Sequence, residues 1–402
     1  MREASPDCIV VGAGILGLAT AVELLERRPQ WDIRVLDKER EVASHQTGRN
    51  SGVLHTGAYY APGSLKARLC THGRRLLLEF CEQEGVPYEI CGKVIVAVDE
   101  TERPALGEIE RRARANGVEV HRIDQARLRE LEPHCAGLEA LHLPGTGLVD
   151  FRAVGRALAG RLERLGGRVE LGVHVLAVQD VGREVEVVTP AGELRAHRAV
   201  VCAGVHADAF APSEDSATRI VPFRGDYFAL RGEARRLCRN LIYPVPDPRF
   251  PFLGIHVNRR HDGEVWAGPN AVVALAREGY RRRDVRVREA WATLSYPGFL
   301  RLARRYWRLG ALELYRDLAR RAYAAQARRY LPELSAADLE PAPSGIRAQA
   351  VARDGTLVDD FLFAETPRTI HVRNAPSPGA TSSLAIAQHV AERALKLFAD
   401  ES

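Results

Sequence analysis

Lysine is almost missing from this chain of 402 residues: Lys38, Lys66, Lys93 and Lys396 are its whole complement, and arginine carries the rest of the 57 basic side chains. Arginine in place of lysine is read as a coding bias, and the net charge is +5. No recognisable nucleic-acid module and no basic patch with interleaved aromatics accompanies it, so nucleic acid is excluded as a partner. The seven cysteines are Cys8, Cys70, Cys81, Cys91, Cys135, Cys202 and Cys238. They are scattered, odd in number and include no CxxC pair, which excludes a disulfide framework and a zinc site and fits a reducing cytoplasm. No metal is expected. Cys8 and Cys202 fall within apolar strand patterns and are expected in the core. No apolar run approaches the ~18 residues of a membrane-spanning helix. No signal peptide pattern is visible, because the apolar run over 8–16 is broken by glycines. Internal repeats and low-complexity segments are also missing. What remains, at 46% hydrophobic and 27% charged residues, is an ordinary globular composition. Its length exceeds what one hydrophobic core usually organises, so two domains are expected.

The strongest positive signal lies near the start, in Cys8-Ile-Val-Val-Gly12-Ala-Gly14-Ile-Leu-Gly17. An apolar run, Ile9 to Val11, leads into the glycines. A helical pattern follows with Leu16, Ala19, Thr20 and Leu24 on one face, and Ile33 to Leu36 then forms a second strand ending at Asp37. Strand, glycine turn, helix, strand and acidic residue, in that order, form the dinucleotide-binding fingerprint. Gly12 permits the tight turn, Gly14 admits a pyrophosphate, and Gly17 lets helix and strand approach. The helix N-terminus offers free N–H groups to phosphate, and Asp37 is placed to accept from a ribose diol.

Further along, Ser44 to Tyr60 is rich in Gly, Ser, Thr and Asn, yet it also carries His45, His55, Tyr59 and Tyr60. Polar loops of this kind at strand ends commonly line a ligand crevice. Helices are expected over Leu65 to Glu84, Glu102 to Asn116, Gln125 to Glu132 and Arg152 to Leu165. Strands are expected at Lys93 to Val98, Val169 to Leu171, Val173 to Val178, and as a pair of Glu184 to Val188 with Glu193 to Arg198. Val200 to Gly204 repeats the strand-to-glycine pattern and opens a helix at Val205, so it belongs with the nucleotide-binding sheet. Ile220 to Gly268 alternates like a sheet, and Tyr280 to Tyr330 is helical and arginine-rich. Asn374 to Ala387 reads as a glycine turn feeding a helix, a second N-terminus suited to anions.

The chain resembles the FAD-dependent L-2-hydroxyglutarate oxidase/dehydrogenase family, within the flavoproteins of D-amino-acid-oxidase-like fold. The resemblance rests on His45-Gln-Thr-Gly-Arg-Asn-Ser-Gly, His55-Thr-Gly-Ala-Tyr-Tyr-Ala-Pro-Gly-Ser-Leu-Lys66, Pro222-Phe-Arg-Gly-Asp-Tyr, the run Ile242 to His256, Gly268-Pro-Asn-Ala, Gly345-Ile-Arg-Ala-Gln and Asn374-Ala-Pro-Ser-Pro. Arg49 stands where that family carries histidine, Asp37 where it carries glutamate, and Thr56 and Ala58 where it carries alanine and valine. The implied fold is α/β. A Rossmann-type FAD domain would comprise 1–75, 145–215 and 345–402, interleaved with a mixed-sheet substrate domain at 76–144 and 216–344. The FAD contacts implied are Gly12, Gly14, Gly17, Asp37, Lys38, His45, Thr47, Asn50, Ser51, Gly52, Val175, Gly204, Gly379, Ala380 and Thr381.

The implied reaction oxidises a 2-hydroxy dicarboxylate to the 2-oxo acid, with hydride passing to the flavin and the hydroxyl proton to a base. Arginine suits a carboxylate because its planar fork binds both oxygens. Arg347 is the first candidate, with Arg224 and Arg49 behind it. His55, in the flavin-side loop, and His256, on a strand of the substrate sheet, compete as base. Tyr59 and Tyr243 are candidate substrate contacts. The helix beginning near Thr381 would aim its positive end at the flavin edge where negative charge develops. Electrons would leave to oxygen or to a membrane quinone. The basic, aromatic stretch Tyr296 to Leu309 suits either an anionic bilayer or packing on the second domain. The expected location is cytoplasmic, including peripheral attachment to the inner face of the cell membrane. A flavin amine oxidase of the glycine or sarcosine type is the nearest alternative, and a non-catalytic FAD-binding scaffold is a further one.

Overall fold

The computed structural model describes residues 5–212, 217–247 and 252–399. Pro248 to Pro251, within the Ile242 to His256 motif, lie outside the described residues, as do both chain ends beyond 5 and 399.

The first fingerprint folds as its pattern dictates. The strand Cys8–Val11, the helix Ile15–Arg27 and the strand Ile33–Asp37 form a parallel βαβ unit, with Val10 opposite Val35. Gly12 has φ +107°, and a Cβ there would stand 2.5 Å from the Cys202 carbonyl oxygen. A Cβ on Gly17 would lie 1.9 Å from the Gly12 carbonyl oxygen, so no other residue fits where helix crosses turn. The sheet continues to Arg168–Leu171 on one side. On the other it continues through Arg198–Val201 to Thr369–Asn374 and Leu362–Glu365, and only the last pairing is antiparallel. The strand entering Gly204 thus runs beside the first strand, Val10 opposite Val200. The helix Ile15–Arg27 packs on the helices Phe151–Arg164 and Ser383–Ala399, with Leu18, Leu24, Leu158, Ile386 and Val390 fully buried in that core.

The second large sheet is mixed. Its order is Val272–Val273, Thr218–Leu230, Val265–Gly268, His256–Arg259, Leu241–Pro244, Lys93–Ala97, Glu139–Leu143 and His121–Asp124. Leu339–Ala352 runs antiparallel along Thr218–Leu230, placing Arg347 opposite Phe223. The position proposed as a domain boundary, Gly345, lies inside this long strand. Lys93–Ala97 pairs in parallel with Leu241–Pro244, so residues far apart in sequence become neighbours.

Local expectations hold where the pattern is strong. The helix Leu65–Glu84 ends at left-handed Gly85, with the Ser64 side chain accepting from the Ala67 N–H. Two expectations fail. Val173 to Leu176 is not a strand, and the strand begins at Ala177. The segment instead tucks Val175 against Ile9, Val11 and Leu36, with the Val173 N–H bonded to the Asp37 carbonyl at 2.8 Å. Tyr280 to Arg286 is not helical, because Tyr280 is held by the His45 loop and the first helix of the region starts only at Val287. Cys8 is fully buried, whereas Cys202 is only partly so and borders a cavity. All seven cysteines are free.

Candidate active site

A cavity of about 1350 Å³ runs from the glycine turn to the mixed sheet. That exceeds a typical small-ligand pocket and gives room for a dinucleotide with a small substrate beside it. Gly12, Gly14, Asp37, Lys38, His45, Thr47, Asn50, Ser51, Val175 and Gly204 line one part of it. Gly379, Ala380 and Thr381 line it with His55, Tyr59, Tyr243, His256 and Arg347.

Each side chain is held for a reason. Asp37 ends its strand, and its carboxylate accepts from the Ala13 N–H at 2.6 Å and the Glu39 N–H at 2.8 Å. Thr47 caps the first helix, its hydroxyl accepting from the Ile15 N–H at 3.0 Å. Asn50 ties its own loop by donating to the Gln46 and Thr47 carbonyls. The Thr381 hydroxyl accepts from the His55 N–H at 3.2 Å, fixing the polar loop to the turn before the last helix.

Toward the mixed sheet, His256 is 5% exposed and stacks on Tyr243 with ring centroids 4.2 Å apart. Its Nδ1 lies 3.1 Å from the Gly254 carbonyl oxygen. A proton on Nδ1 donates there and leaves Nε2 with a free lone pair. Burial pushes His256 down to about 3, aided by the Arg347 and Lys93 charges and opposed by the Gly254 bond. Burial likewise pushes His55 down to about 3, aided by Lys93, His256 and Lys66. Both imidazoles are therefore neutral at physiological pH, each with a ring nitrogen lone pair free to accept. Arg347 sits with its guanidinium carbon 5.3 Å from the Phe252 ring centroid, and burial lowers its pKa. No carboxylate pairs with it among the described residues.

Residues 7–393 match the family described as FAD-dependent oxidoreductase. The chain belongs to that family. FAD is thus the cofactor of this oxidoreductase. An L-2-hydroxyglutarate dehydrogenase of Indibacter alkaliphilus is 44% identical over 394 residues, covering 97% of this chain and 99% of that one. The mitochondrial L-2-hydroxyglutarate dehydrogenase of Homo sapiens is 42% identical, covering 98% of this chain and 89% of that one. An L-α-glycerophosphate oxidase from Mycoplasma pneumoniae, solved with FAD bound, shares the fold with a TM-score of 0.80 at 20% identity, covering 99% of this chain and 95% of that one. The expected D-amino-acid-oxidase-like fold is therefore the observed one.

The residues of this oxidoreductase fit FAD. A Cβ on Gly14 would meet nothing closer than the Thr47 hydroxyl at 3.5 Å, so the turn faces open space, as pyrophosphate requires. The other expected cofactor residues divide. Gly17 and Gly52 do not border the cavity. Gly17 serves the helix crossing, and Gly52 serves the loop, accepting from the Val149 N–H at 2.9 Å. Lys38 borders the cavity, but its ammonium is already held by Glu39, by Glu278 at 2.7 Å and by the His45 ring at 3.1 Å. Burial would raise Glu278, yet His206 and Lys38 outweigh it and hold its carboxyl near about 2. His45 also meets the Tyr280 hydroxyl at 2.7 Å, so this cluster joins the flavin-side loop to the second sheet.

Arg224 is corrected outright. It lies off the cavity, bound to Asp226 at 3.0 Å and Asp317 at 3.2 Å, and is a structural ion pair rather than a substrate contact. Burial and the neighbouring Asp317 raise the Asp226 carboxyl, and Arg224 opposes both. Arg224→Met would leave the two carboxylates only the cation of Arg282, 3.0 Å from Asp317 and 3.8 Å from Asp226, and the expected cost is about 3 kcal/mol, read as a lowered thermal midpoint. Arg49 does border the cavity, stacking 4.1 Å over the Tyr280 ring. Lys93 was not anticipated. It is a charge opening an otherwise apolar strand, Lys93-Val-Ile-Val-Ala, and that mismatch was the available signal.

Proposed function

We propose that this chain oxidises L-2-hydroxyglutarate to 2-oxoglutarate, with Arg347 binding a carboxylate and His55 taking the hydroxyl proton. The observation that carries the reading is one cavity lined both by a half-buried arginine without a carboxylate partner and by a half-buried, neutral histidine. Relatives named for this activity, similar over nearly their whole length, give the substrate. FAD, when bound, supplies the acceptor for the hydride. Arg347 engages one carboxylate through two parallel N–H bonds and so fixes which face of the carbinol carbon is presented. His55 is preferred over His256 as base because its backbone is tied to Thr381, on the cofactor side, where the reacting carbon must sit. His256, locked by Gly254 and Tyr243, orients the substrate. Anaerobic mixing with L-2-hydroxyglutarate tests the reading. Bleaching of the flavin band near ~450 nm, a property of the cofactor, is expected with the L isomer and not with the D isomer, lactate or glycine. Bleaching by glycine or sarcosine alone would make the protein an amine oxidase.

For the acceptor we propose a membrane quinone reached from the bilayer surface. No helix among the described residues is long and apolar enough to cross a membrane. The support lies in the helices Val287–Leu294 and Pro297–Leu318, where Trp291, Leu300, Trp307 and Leu314 stand exposed among solvated arginines. Leu300, Trp307 and Leu314 recur every seven residues, the spacing of one helical stripe. Tyr306 breaks the regular helix between them. A second cavity of about 810 Å³ lies behind this helix and shares Phe252, Leu253 and Pro269 with the first. Trp307→Glu with Leu314→Glu is expected to cut flotation with anionic vesicles at least ~10-fold, the two charges offsetting buried apolar area. Unchanged flotation, or none by the parent protein, would remove the membrane route and leave oxygen as acceptor.

A further inference from the structure

The proposed substrate is a diacid, and Arg347 accounts for one carboxylate only. The second needs a cation, and the candidates can be compared. Arg224 is saturated by Asp226 and Asp317. Arg49 stacks on Tyr280 with its Nε buried and unpartnered, but it lies beside a cluster already holding the Glu39 and Glu278 carboxylates, which would repel a further one. Lys38 is held by the same two glutamates.

Lys93 is different. It is 2% exposed, and its ammonium lies 4.7 Å from the ring centroid of Tyr59 and 4.7 Å from that of Tyr243. Both rings border the cavity, and the ammonium sits behind them. No carboxylate pairs with it among the described residues, and the groups around it carry no negative charge. Burial holds the Cys70 thiol near about 12 and raises both tyrosine hydroxyls, so all three remain protonated. The His55 and His256 rings nearby are neutral. A buried ammonium without a counter-charge is costly unless a ligand supplies one. The Tyr59 hydroxyl is also buried without a partner. Such a pair, an unsatisfied donor on the wall and an uncompensated cation behind it, is complementary to a carboxylate.

We propose that Lys93 determines specificity for the diacid: its ammonium, behind the Tyr59 and Tyr243 rings, is the counter-charge for the distal carboxylate, which the Tyr59 hydroxyl bonds directly. The inference rests on the L-2-hydroxyglutarate reading. Lys93 acts through Tyr59 and through space, so it is a positioning residue. In the free protein burial brings its pKa down to about 7. An arriving carboxylate restores the proton, so diacid binding near neutral pH takes up a proton and weakens as pH rises past about 7.

The test compares L-2-hydroxyglutarate with L-2-hydroxypentanoate, which keeps the carbon chain and lacks the distal carboxylate. With the FAD-loaded protein, Lys93→Met is expected to weaken diacid binding roughly 30-fold, the size of a charge interaction across several ångströms of partly screened interior. The monoacid should change less than ~2-fold, because it lacks the charge that Lys93 answers. Lys93→Arg, which keeps the charge, should recover most of the preference. Equal losses with both acids, or an unchanged ratio, would overturn the proposal. Binding of glutarate against pentanoate, read from the shift of the flavin band, gives a readout that needs no turnover. If L-2-hydroxyglutarate fails to reduce the parent flavin, the substrate reading fails. Lys93 is then judged by whether glutarate outbinds pentanoate and whether Lys93→Met abolishes that ratio. If Lys93→Met does not fold, the parent protein decides: a glutarate affinity flat between pH 6 and 9 overturns the proposal.

Discussion

His55→Asn is expected to slow reduction of the flavin by L-2-hydroxyglutarate by about 10³-fold, within the range for loss of a positioned proton acceptor. FAD should remain bound, because the His55 contact to the cofactor side runs through its backbone N–H to Thr381, which asparagine preserves. The same substitution cannot accept the proton, since an amide nitrogen has no basic lone pair. The measurement is the anaerobic reduction rate with the flavin-to-protein ratio recorded beside it. A loss below ~10-fold, with a larger loss in His256→Asn, would transfer the base role to His256. The pH profile adds a second check. The competent form of His55 is the neutral one, and burial holds its pKa down to about 3. As pH falls, its contribution is therefore retained through the neutral range and lost only in strong acid. A reduction rate that halved near the ordinary imidazole pKa would contradict this.

Arg347→Met carries the second large effect. Removing the guanidinium deletes two charge-assisted bonds to carboxylate, and the expected loss in kcat/KM is about 10²- to 10³-fold. Most of it should appear in KM, since the carboxylate is held in the ground state as well as the transition state. Methionine keeps packing against Phe252, whose ring lies 5.3 Å from the arginine, so stability should be little affected. Lysine should recover only part of the activity, because a point charge cannot reproduce the planar fork. Steady-state kinetics on the three proteins decides it, and a pure loss of kcat with KM unchanged would place Arg347 elsewhere.

The first βαβ unit was legible because all its determinants are local. Turn glycines, strand apolarity and the terminal Asp37 lie within about thirty residues, and each answers a short-range steric or hydrogen-bond requirement. The polar loop from His45 to Tyr60 was legible for the same reason, since a glycine-rich loop crowded with His and Tyr has little use as a linker. Val173 to Val178 misled because its valines serve a packing contact with Ile9, Val11 and Leu36 and not a sheet edge. Arg224 misled because a motif shows that an arginine is present and not that Asp317, 93 residues further on, has already claimed it. Lys93 escaped because its meaning depends on Tyr243, brought beside it by the pairing of Lys93–Ala97 with Leu241–Pro244, and on Tyr59, brought by the loop whose Gly57 and Tyr60 carbonyls Asn116 holds.

The sequence alone therefore determined the cofactor fold, the family it resembles and the short list of cations and histidines, because glycine spacing and strand apolarity act through neighbours in the chain. Tertiary structure alone decided which of those cations are free. Charge compensation is set by distance in space: Asp226 and Glu39 are chain neighbours of Arg224 and Lys38, but Asp317 and Glu278, which complete their neutralisation, arrive from a helix and a turn remote in sequence, while none arrives beside Arg347 or Lys93.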